Sequence, residues 1–192
     1  MGYSLGSLVN YSNIARDCGV SSKTVKEYYQ ILADTLLGTF VLPFKKRQDR
    51  QVISKAPKFY LFDVGVAGHI SKRTIEEEKG ELFGHAFEHF IYLEMPAHSS
   101  YHEINYEINF WRTKSGQEVD FVLGRGEVAV EVKGTARIDK RTLRPMKSFV
   151  ELYSPRLAIV VCNESRERVH GGIRIMPWRI FLQKLWQDEI IR

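Results

Sequence analysis

The sequence lacks the features that would place it in a membrane or outside the cell. It has no run of about 18 apolar residues, the length that crosses a bilayer, so we expect no membrane contact. Residues 1–6 contain neither the basic nor the apolar region of a secretory signal. Cys18 and Cys162 lie far apart and have no zinc-type Cys/His spacing around them. We therefore expect two buried thiols in the reducing cytoplasm.

The chain also lacks the motif Gly-x-x-x-x-Gly-Lys-Ser/Thr, whose backbone cradles the phosphates of ATP in P-loop enzymes. We therefore expect it not to act as an ATPase by that mechanism. Its net charge is +5, and residues 1–80 hold 12 Lys and Arg against 8 Asp and Glu. This basic surplus would suit contacts with nucleic-acid phosphates, although a solvated face explains it as well.

The 192 residues, 44% of them hydrophobic, suffice for one large domain or two small ones. The first part, 1–75, predicts a helix at 11–18, a turn at Gly19, and a second helix that begins after Ser21 or Ser22 and ends near Gly38. Strands are expected at 39–43 and 58–62, joined by a basic loop at 45–50. Two helices followed by such a hairpin predict a winged helix-turn-helix domain.

The second part, 76–192, begins after a polar linker and predicts an α/β (α+β) core with a mixed central sheet flanked by helices. Its expected helices lie at 81–95, 142–153 and 178–186. Its expected strands lie at 104–110, 118–123, 127–133, 157–162 and 173–176. The apolar run at 157–162 is typical of a strand buried on both faces.

Two neighbouring strands of this core carry the most informative residues, Asp120, Glu131 and Lys133. A loop centred on Arg125 would set Asp120 opposite Val130, within one residue of Glu131. Two carboxylates in otherwise apolar strands must be ion-paired or bind a metal. They suit Mg²⁺ or Mn²⁺, while Lys133 would orient or deprotonate a water that attacks a phosphodiester.

Two further groups could complete this metal site. The backbone carbonyl of Val132 could add an oxygen ligand, and Glu88, on the first helix of the core, could reach the same ion or a second one. An ion-paired structural cluster remains the alternative, because Glu-x-Lys is common on solvated strands and a helical glutamate is more often a surface residue.

Several basic side chains are candidates for contact with nucleic acid, and an ordinary solvated surface is the alternative for all of them. In the first part these are Lys23, Lys26, Lys45, Lys46 and Arg47; after the third strand of the core they are Arg137, Lys140, Arg141 and Arg144.

At Asp120, Glu131, Lys133 and Glu88 the chain resembles the restriction-endonuclease-like superfamily, the PD-(D/E)xK fold. Val119 stands where that superfamily often has proline. Across 21–29, 58–67 and 84–91 the chain also resembles the C-terminal half of prokaryotic AAA-type ATPases, in which a winged helix and a nuclease-like domain follow the P-loop module. The resemblance implies a fragment or shortened relative of such an ATPase, with its ATPase module separate or missing.

Three functions are open from the sequence. The first is a magnesium-dependent nuclease guided to DNA by the winged helix and working as a homodimer where it cuts both strands. The second is a non-catalytic module that binds DNA or protein through an inactive nuclease fold. The third is a regulatory domain that needs its ATPase partner in order to act.

Overall fold

A computed structural model of the protein describes residues 6–45, 56–72 and 74–192. The first part contains helices α1 (Tyr11–Cys18), α2 (Ser22–Asp34) and α3 (Val64–Ile70) and strands β1 (Gly38–Pro43) and β2 (Lys58–Leu61). The second part contains helices α4 (Gly80–Tyr101), α5 (Arg144–Tyr153) and α6 (Trp178–Trp186). Its strands are β3 (Ile108–Arg112), β4 (Glu118–Leu123), β5 (Val128–Lys133), β6 (Leu157–Cys162), β7 (Arg168–His170) and β8 (Ile173–Pro177).

One eight-stranded mixed sheet runs through both parts in the order β2-β1-β3-β4-β5-β6-β8-β7. Strand β1 pairs antiparallel with β2 and parallel with β3, so the N-terminal hairpin continues the sheet of the core. Strands β4 and β5 form an antiparallel hairpin, and β5, β6 and β8 run parallel. This confirms the predicted α/β fold, with an N-terminal helical part followed by a mixed sheet with flanking helices.

Helices cover the sheet on both sides, which explains why its central strands are apolar at nearly every position. One core gathers side chains of α4 and α6, such as Ile91 and Phe181, against Phe121 and Val130 of the sheet. A second core packs α5, through Phe149, against the opposite side. A third, smaller core joins α1, α2, α3 and β2.

The first part begins with two helices whose ends have clear local causes. The Asn10 side chain accepts a hydrogen bond from the backbone N–H of Asn13 at the start of α1, and Ser21 accepts one from Thr24 at the start of α2. Gly19 ends α1 in the left-handed region, at φ 66°. The assignment of this part as a winged helix stays a prediction, as does the domain boundary at 75/76.

Several expected element bounds were wrong. The strand predicted at 104–110 begins only at Ile108, because Asn105 has a φ of 56° and cannot be extended. Helix α4 continues through Pro96 to Tyr101 instead of ending at 95, since its buried face continues with His98 and Ser99. Helix α3 was missed within the glycine-rich run that follows Asp63.

The expectation of two buried thiols was wrong for one of them. Cys18 is exposed, so only Cys162 is a buried thiol.

The register of the β4–β5 hairpin also differs from the expected one by one residue. Phe121, rather than Asp120, lies opposite Val130. The turn has four residues, 124–127, instead of a loop centred on Arg125, and its two glycines, Gly124 and Gly126, both have positive φ. The shift brings Asp120 level with Glu131, which favours the proximity that the sequence predicted.

Gly126 has both a positive φ, +90°, and a close neighbour, because a Cβ there would lie 2.7 Å from Cζ of Phe44. Gly116 has a similar φ, +83°, with nothing within 4 Å of the same position. We expect both alanine variants to lose about 1–2 kcal/mol from backbone strain. Gly126→Ala should lose about 1–3 kcal/mol more, because it overpacks the Phe44 ring. Urea unfolding measures the difference, and equal losses would show that the ring moves aside freely.

Candidate functional site

Asp120 and Glu131 meet where strands β4 and β5 separate. The backbone pairing of the two strands stops at Phe121 and Val130. Beyond this point the side-chain carboxylates, instead of backbone carbonyls, accept the hydrogen bonds of the backbone N–H groups. The backbone N–H of Val132 donates to Oδ2 of Asp120 at 2.8 Å, and that of Asp120 donates to Oε2 of Glu131 at 3.3 Å. Both residues are buried, with 6% and 4% exposure, so the fold holds two carboxylates side by side away from water.

Lys133 lies beside this pair, as the sequence predicted. Its Nζ is 2.5 Å from Oε1 of Glu131 and 3.8 Å from Oδ2 of Asp120, and more than a third of the side chain is exposed. Burial acts to lower the pKa of its ammonium, but Asp120 and Glu131 outweigh that effect and raise the pKa above its ordinary value. Lys133 is therefore a cation at neutral pH that joins the buried carboxylates to the surface.

Lys58, the first residue of β2, enters the same site from the N-terminal part. Its side chain is 3% exposed, and its Nζ lies 2.6 Å from Oε1 of Glu118, 3.2 Å from Oε1 of Glu88 and 3.8 Å from Oδ1 of Asp120. Burial acts to lower the pKa of this ammonium, but the three carboxylates raise it above its ordinary value. Lys58 is thus a buried cation shared by helix α4 and strand β4.

Glu88 lies in the site but is turned toward the N-terminal part. Its Oε1 accepts hydrogen bonds from the Tyr60 hydroxyl at 2.5 Å and from Lys58. Burial and the neighbouring Asp120 raise the pKa of the Glu88 carboxyl, while Lys58 and Tyr60 act against them. Burial and Glu88 raise the pKa of Tyr60 well above its ordinary value, so Tyr60 stays a neutral donor.

The charges of this site, named here the acidic cluster, do not balance. It contains four carboxylates and two ammonium groups: Glu88, Glu118, Asp120, Glu131, Lys58 and Lys133. The guanidinium of Arg112, 2.7 Å from Glu118, adds a third cation. With every group ionised, one negative charge has no partner among these residues. Because an unpaired buried charge is unfavourable, the cluster must take up a proton or another cation.

Glu131 is the group where that proton would reside. Burial, and then the negative charge of Asp120, raise its pKa to about 8, although Lys133 opposes the shift. A carboxyl held partly protonated in this way is a functional-site candidate with a physical cause, since structural ion pairs alone usually lower carboxyl pKa values. The same position would also accept a divalent ion in exchange for the proton.

The cluster fits a hard metal ion in the chemistry of its donors. Carboxylate oxygens are the ligands that Mg²⁺ and Mn²⁺ prefer, and Asp120 and Glu131 present them next to each other. Glu88, which the sequence offered as a third ligand, is engaged by Lys58 and Tyr60. The backbone N–H of Val132 fixes the Asp120 carboxylate, which is a positioning role separate from the predicted carbonyl ligand.

The basic candidates occupy two exposed surfaces. Lys23 and Lys26 lie on the outer face of α2, where Lys23 is 3.9 Å from Glu27, and Lys45 follows β1. Lys46 and Arg47 lie outside the described residues. The other four side chains are all exposed on the segment that leads from β5 into α5, and we name them the basic segment: Arg137, Lys140, Arg141 and Arg144.

Sequence reasoning missed Lys58, Tyr60 and Glu118 as members of the site. A signal was present for Lys58, because a lysine directly before the apolar run Phe59-Tyr60-Leu61 must bury at least its stem. Its carboxylate partners could not be found this way, because they lie 30 or more residues away along the chain.

Two family models match the chain. The model described as Domain of unknown function (DUF4143) matches residues 83–181, and the model described as Domain of unknown function (DUF8612) matches residues 1–77. No curated protein and no solved structure matches. The DUF4143 domain is found in AAA-ATPase-associated proteins, which agrees with part of the resemblance seen in the sequence. Since its match covers more than half of the residues and includes Glu88, Asp120, Glu131 and Lys133, the chain belongs to the DUF4143 family.

Proposed function

We propose that the acidic cluster binds Mg²⁺ or Mn²⁺ and hydrolyses phosphodiester bonds of nucleic acid, with DNA as the expected substrate. One observation carries this proposal: Asp120 and Glu131 lie side by side in a buried strand fork, with the ammonium of Lys133 between them and the surface. Two adjacent carboxylates and a lysine are the groups that metal-assisted hydrolysis requires.

Each residue of the acidic cluster would have a separate role. Asp120 and Glu131 would hold the ion, and a bound divalent ion lowers the pKa of its water and offsets negative charge on the phosphate. Lys133, which is partly exposed, would contact the phosphate or position the water. Lys58, which contacts Glu88 and Glu118, would hold those carboxylates in place. Glu88 contributes negative charge beside the ion, while Tyr60 fixes its carboxylate.

The basic segment would hold the flanking phosphates. It follows β5, so its exposed cations begin four residues after Lys133. Gly134, directly after β5, lets the backbone pass close to α4, because a Cβ at this position would lie 2.9 Å from the Phe83 ring. Lys23, Lys26 and Lys45 would add contacts from the N-terminal part. Such contacts supply affinity without reading the base sequence.

The family's occurrence in AAA-ATPase-associated proteins supports a further part of this proposal, namely that an ATPase module works together with the chain. The ATPase would supply the energy for moving nucleic acid or partners, since this sequence has no P-loop motif. A homodimer would place two acidic clusters on one duplex and so allow both strands to be cut.

A non-catalytic module that binds DNA or protein is the second candidate, and one observation favours it. The buried ammonium of Lys58 already lies among three carboxylates and neutralises part of their charge without any metal. In that case a proton on Glu131 completes the charge balance, and the cluster serves only to hold the two parts of the chain together.

Metal titration separates the two candidates. We expect isothermal titration to show Mn²⁺ and Mg²⁺ binding to the wild type, because deprotonated Asp120 and Glu131 offer adjacent oxygens. Asp120→Asn and Glu131→Gln should abolish the binding and also any cleavage of single- or double-stranded DNA. The matched control is Glu107→Gln, which removes an exposed carboxylate and should change nothing. Binding without cleavage would indicate a metal site that is not catalytic. No binding at all would refute the metal site and support the non-catalytic module, in which a proton on Glu131 completes the charge balance.

The raised pKa of Glu131 predicts how stability depends on pH. The unfolded chain loses this proton near the ordinary value of 4.5, whereas the folded chain keeps it to about 8. Between those values the folded state binds more protons, so the free energy of unfolding of the metal-free protein should fall as pH rises, by at most about 1.4 kcal/mol per pH unit from this group.

Urea unfolding across this pH range measures the effect, and Glu131→Gln should flatten the fall while Glu107→Gln preserves it. Mg²⁺ affinity should rise over the same range because the ion replaces the proton. An affinity that does not change between about pH 6 and 8 would mean that Glu131 is already ionised and its pKa is not raised.

The salt dependence of DNA binding tests which basic surface touches phosphates. We expect Lys140→Ala combined with Arg141→Ala to weaken binding for every sequence and to reduce the slope of log affinity against log salt by about 0.9 per lost contact. Lys23→Ala combined with Lys26→Ala makes the same measurement on α2. An unchanged slope for either pair would remove that surface from the DNA interface.

A further inference from the structure

A second group of metal-ligating side chains lies at the C-terminal end of α4, apart from the acidic cluster. His98 lies in the last turn of this helix, His102 directly follows its last residue, and Asp188 follows the end of α6. Oδ1 of Asp188 lies 2.9 Å from Nε2 of His98 and 2.8 Å from Nδ1 of His102. Their ligand atoms all lie within 4.8 Å of one another. Of the residues that the structure describes, no other set of three His, Cys, Asp or Glu side chains gathers in this way.

The hydrogen bonds around His98 fix which ring nitrogen carries a proton. The Tyr106 hydroxyl donates its only hydrogen to the carbonyl of Met95 at 2.6 Å. The Tyr106 oxygen can then only accept from Nδ1 of His98, 3.1 Å away, so Nδ1 carries the hydrogen. In neutral His98 the lone pair of Nε2 therefore points at the Asp188 carboxylate. Two acceptors 2.9 Å apart require a cation between them, either a second proton on His98 or a metal ion.

The contacts of His98 and Asp188 hold these side chains in place, as the contacts of metal ligands usually do. A histidine that binds metal usually donates its other ring N–H to an oxygen, which fixes its orientation, and His98 does so to Tyr106. Asp188 is held by its backbone on both sides: its N–H donates to Leu185 at 3.0 Å, and its carbonyl accepts from Arg192 at 2.9 Å. The indole of Trp186 packs against both histidine rings and donates to Glu94 at 2.8 Å.

We propose that His98, His102 and Asp188 form a binding site for a divalent transition-metal ion, with Zn²⁺ as the expected ion. The bound ion would connect the C-terminal turn to α4. Zn²⁺ accepts two imidazole nitrogens and a carboxylate oxygen at about 2.0–2.2 Å each, with water completing a tetrahedron. That geometry separates the ligand atoms by about 3.3 Å, so the two distances from Asp188 to the histidines must widen by only about half an ångström.

The exposure of the ligands provides a path for the ion. His98 is fully buried, whereas His102 and the Asp188 side chain are 26% and 41% exposed. His102 can shift its proton to Nε2 and free Nδ1 for the metal, since both tautomers are open to a neutral imidazole. Imidazole ligands favour Zn²⁺ over Mg²⁺, so this site and the acidic cluster would take different ions.

Titration of the untagged chain with Zn²⁺ in excess Mg²⁺ tests the site. We expect one Zn²⁺ per chain in the wild type, and a rise in thermal stability with Zn²⁺ concentration because the ion binds the folded state. His102→Ala and Asp188→Asn should each lose at least about 100-fold in affinity, since even changes behind the ligands cost about 10- to 100-fold. Asparagine tolerates the left-handed φ of 59° at position 188, so Asp188→Asn preserves the turn.

Two controls make the result specific. His85→Ala removes a histidine that lies 3.5 Å from Glu81, and Glu131→Gln alters the acidic cluster; both should bind Zn²⁺ like the wild type. Co²⁺ should quench the fluorescence of Trp186 through its contacts with the histidines, and Trp186→Phe should remove that signal. The proposal is overturned if the wild type does not bind Zn²⁺ or if His102→Ala binds it equally well. The three residues would then be joined by hydrogen bonds alone, without a metal ion.

Discussion

The structure depends on one buried ammonium group. Lys58 begins β2, in the N-terminal part, and its three carboxylate neighbours come from α4 and β4, in the core. Removing one partner of a buried ion pair typically costs about 3–5 kcal/mol, because the remaining charge stays buried without compensation. Removing Lys58 would leave three carboxylates facing each other. This contact therefore couples the N-terminal hairpin to the core, in addition to the pairing of β1 with β3.

The same contact determines what the candidate site can do. Lys58 is buried and neutralises part of the charge on the inner side of the acidic cluster. Lys133 lies on the outer side, beside Glu131, and is partly exposed to solvent. Because Lys58 engages Glu88 and Glu118, the adjacent pair Asp120 and Glu131 carries most of the charge that is not compensated. A proton or a divalent ion is therefore directed to this pair. The N-terminal part, matched by one family model, thus shapes a site whose carboxylates lie in the span matched by the other.

The sequence predicted the local part of this arrangement well. The spacing of Asp120, Glu131 and Lys133 indicated a hairpin, and one hairpin brings such residues together whatever the rest of the fold does. Its register was one residue off because the type of turn between Leu123 and Val128 is not visible in a pattern of apolar residues. Helices α1 and α6 were predicted with the observed bounds, whereas α2, predicted from its periodicity to end near Gly38, ends at Asp34.

Contacts between distant segments could not be predicted in this way. Lys58 was placed at the start of a strand, where the local pattern indicates only that its stem is buried. The burial of its ammonium follows from the packing of β2 beside β1 and from the contact with Glu88 of α4, which no local pattern encodes. The position of Asp188 beside His98 and His102 has the same origin, and the histidines themselves lie beyond the expected helix at 81–95. Helix α4 carries Glu88 in its N-terminal half and His98 in its last turn, and His102 caps it. A metal ion bound at the C-terminal end of α4 would therefore stiffen the helix whose Glu88 contacts Lys58.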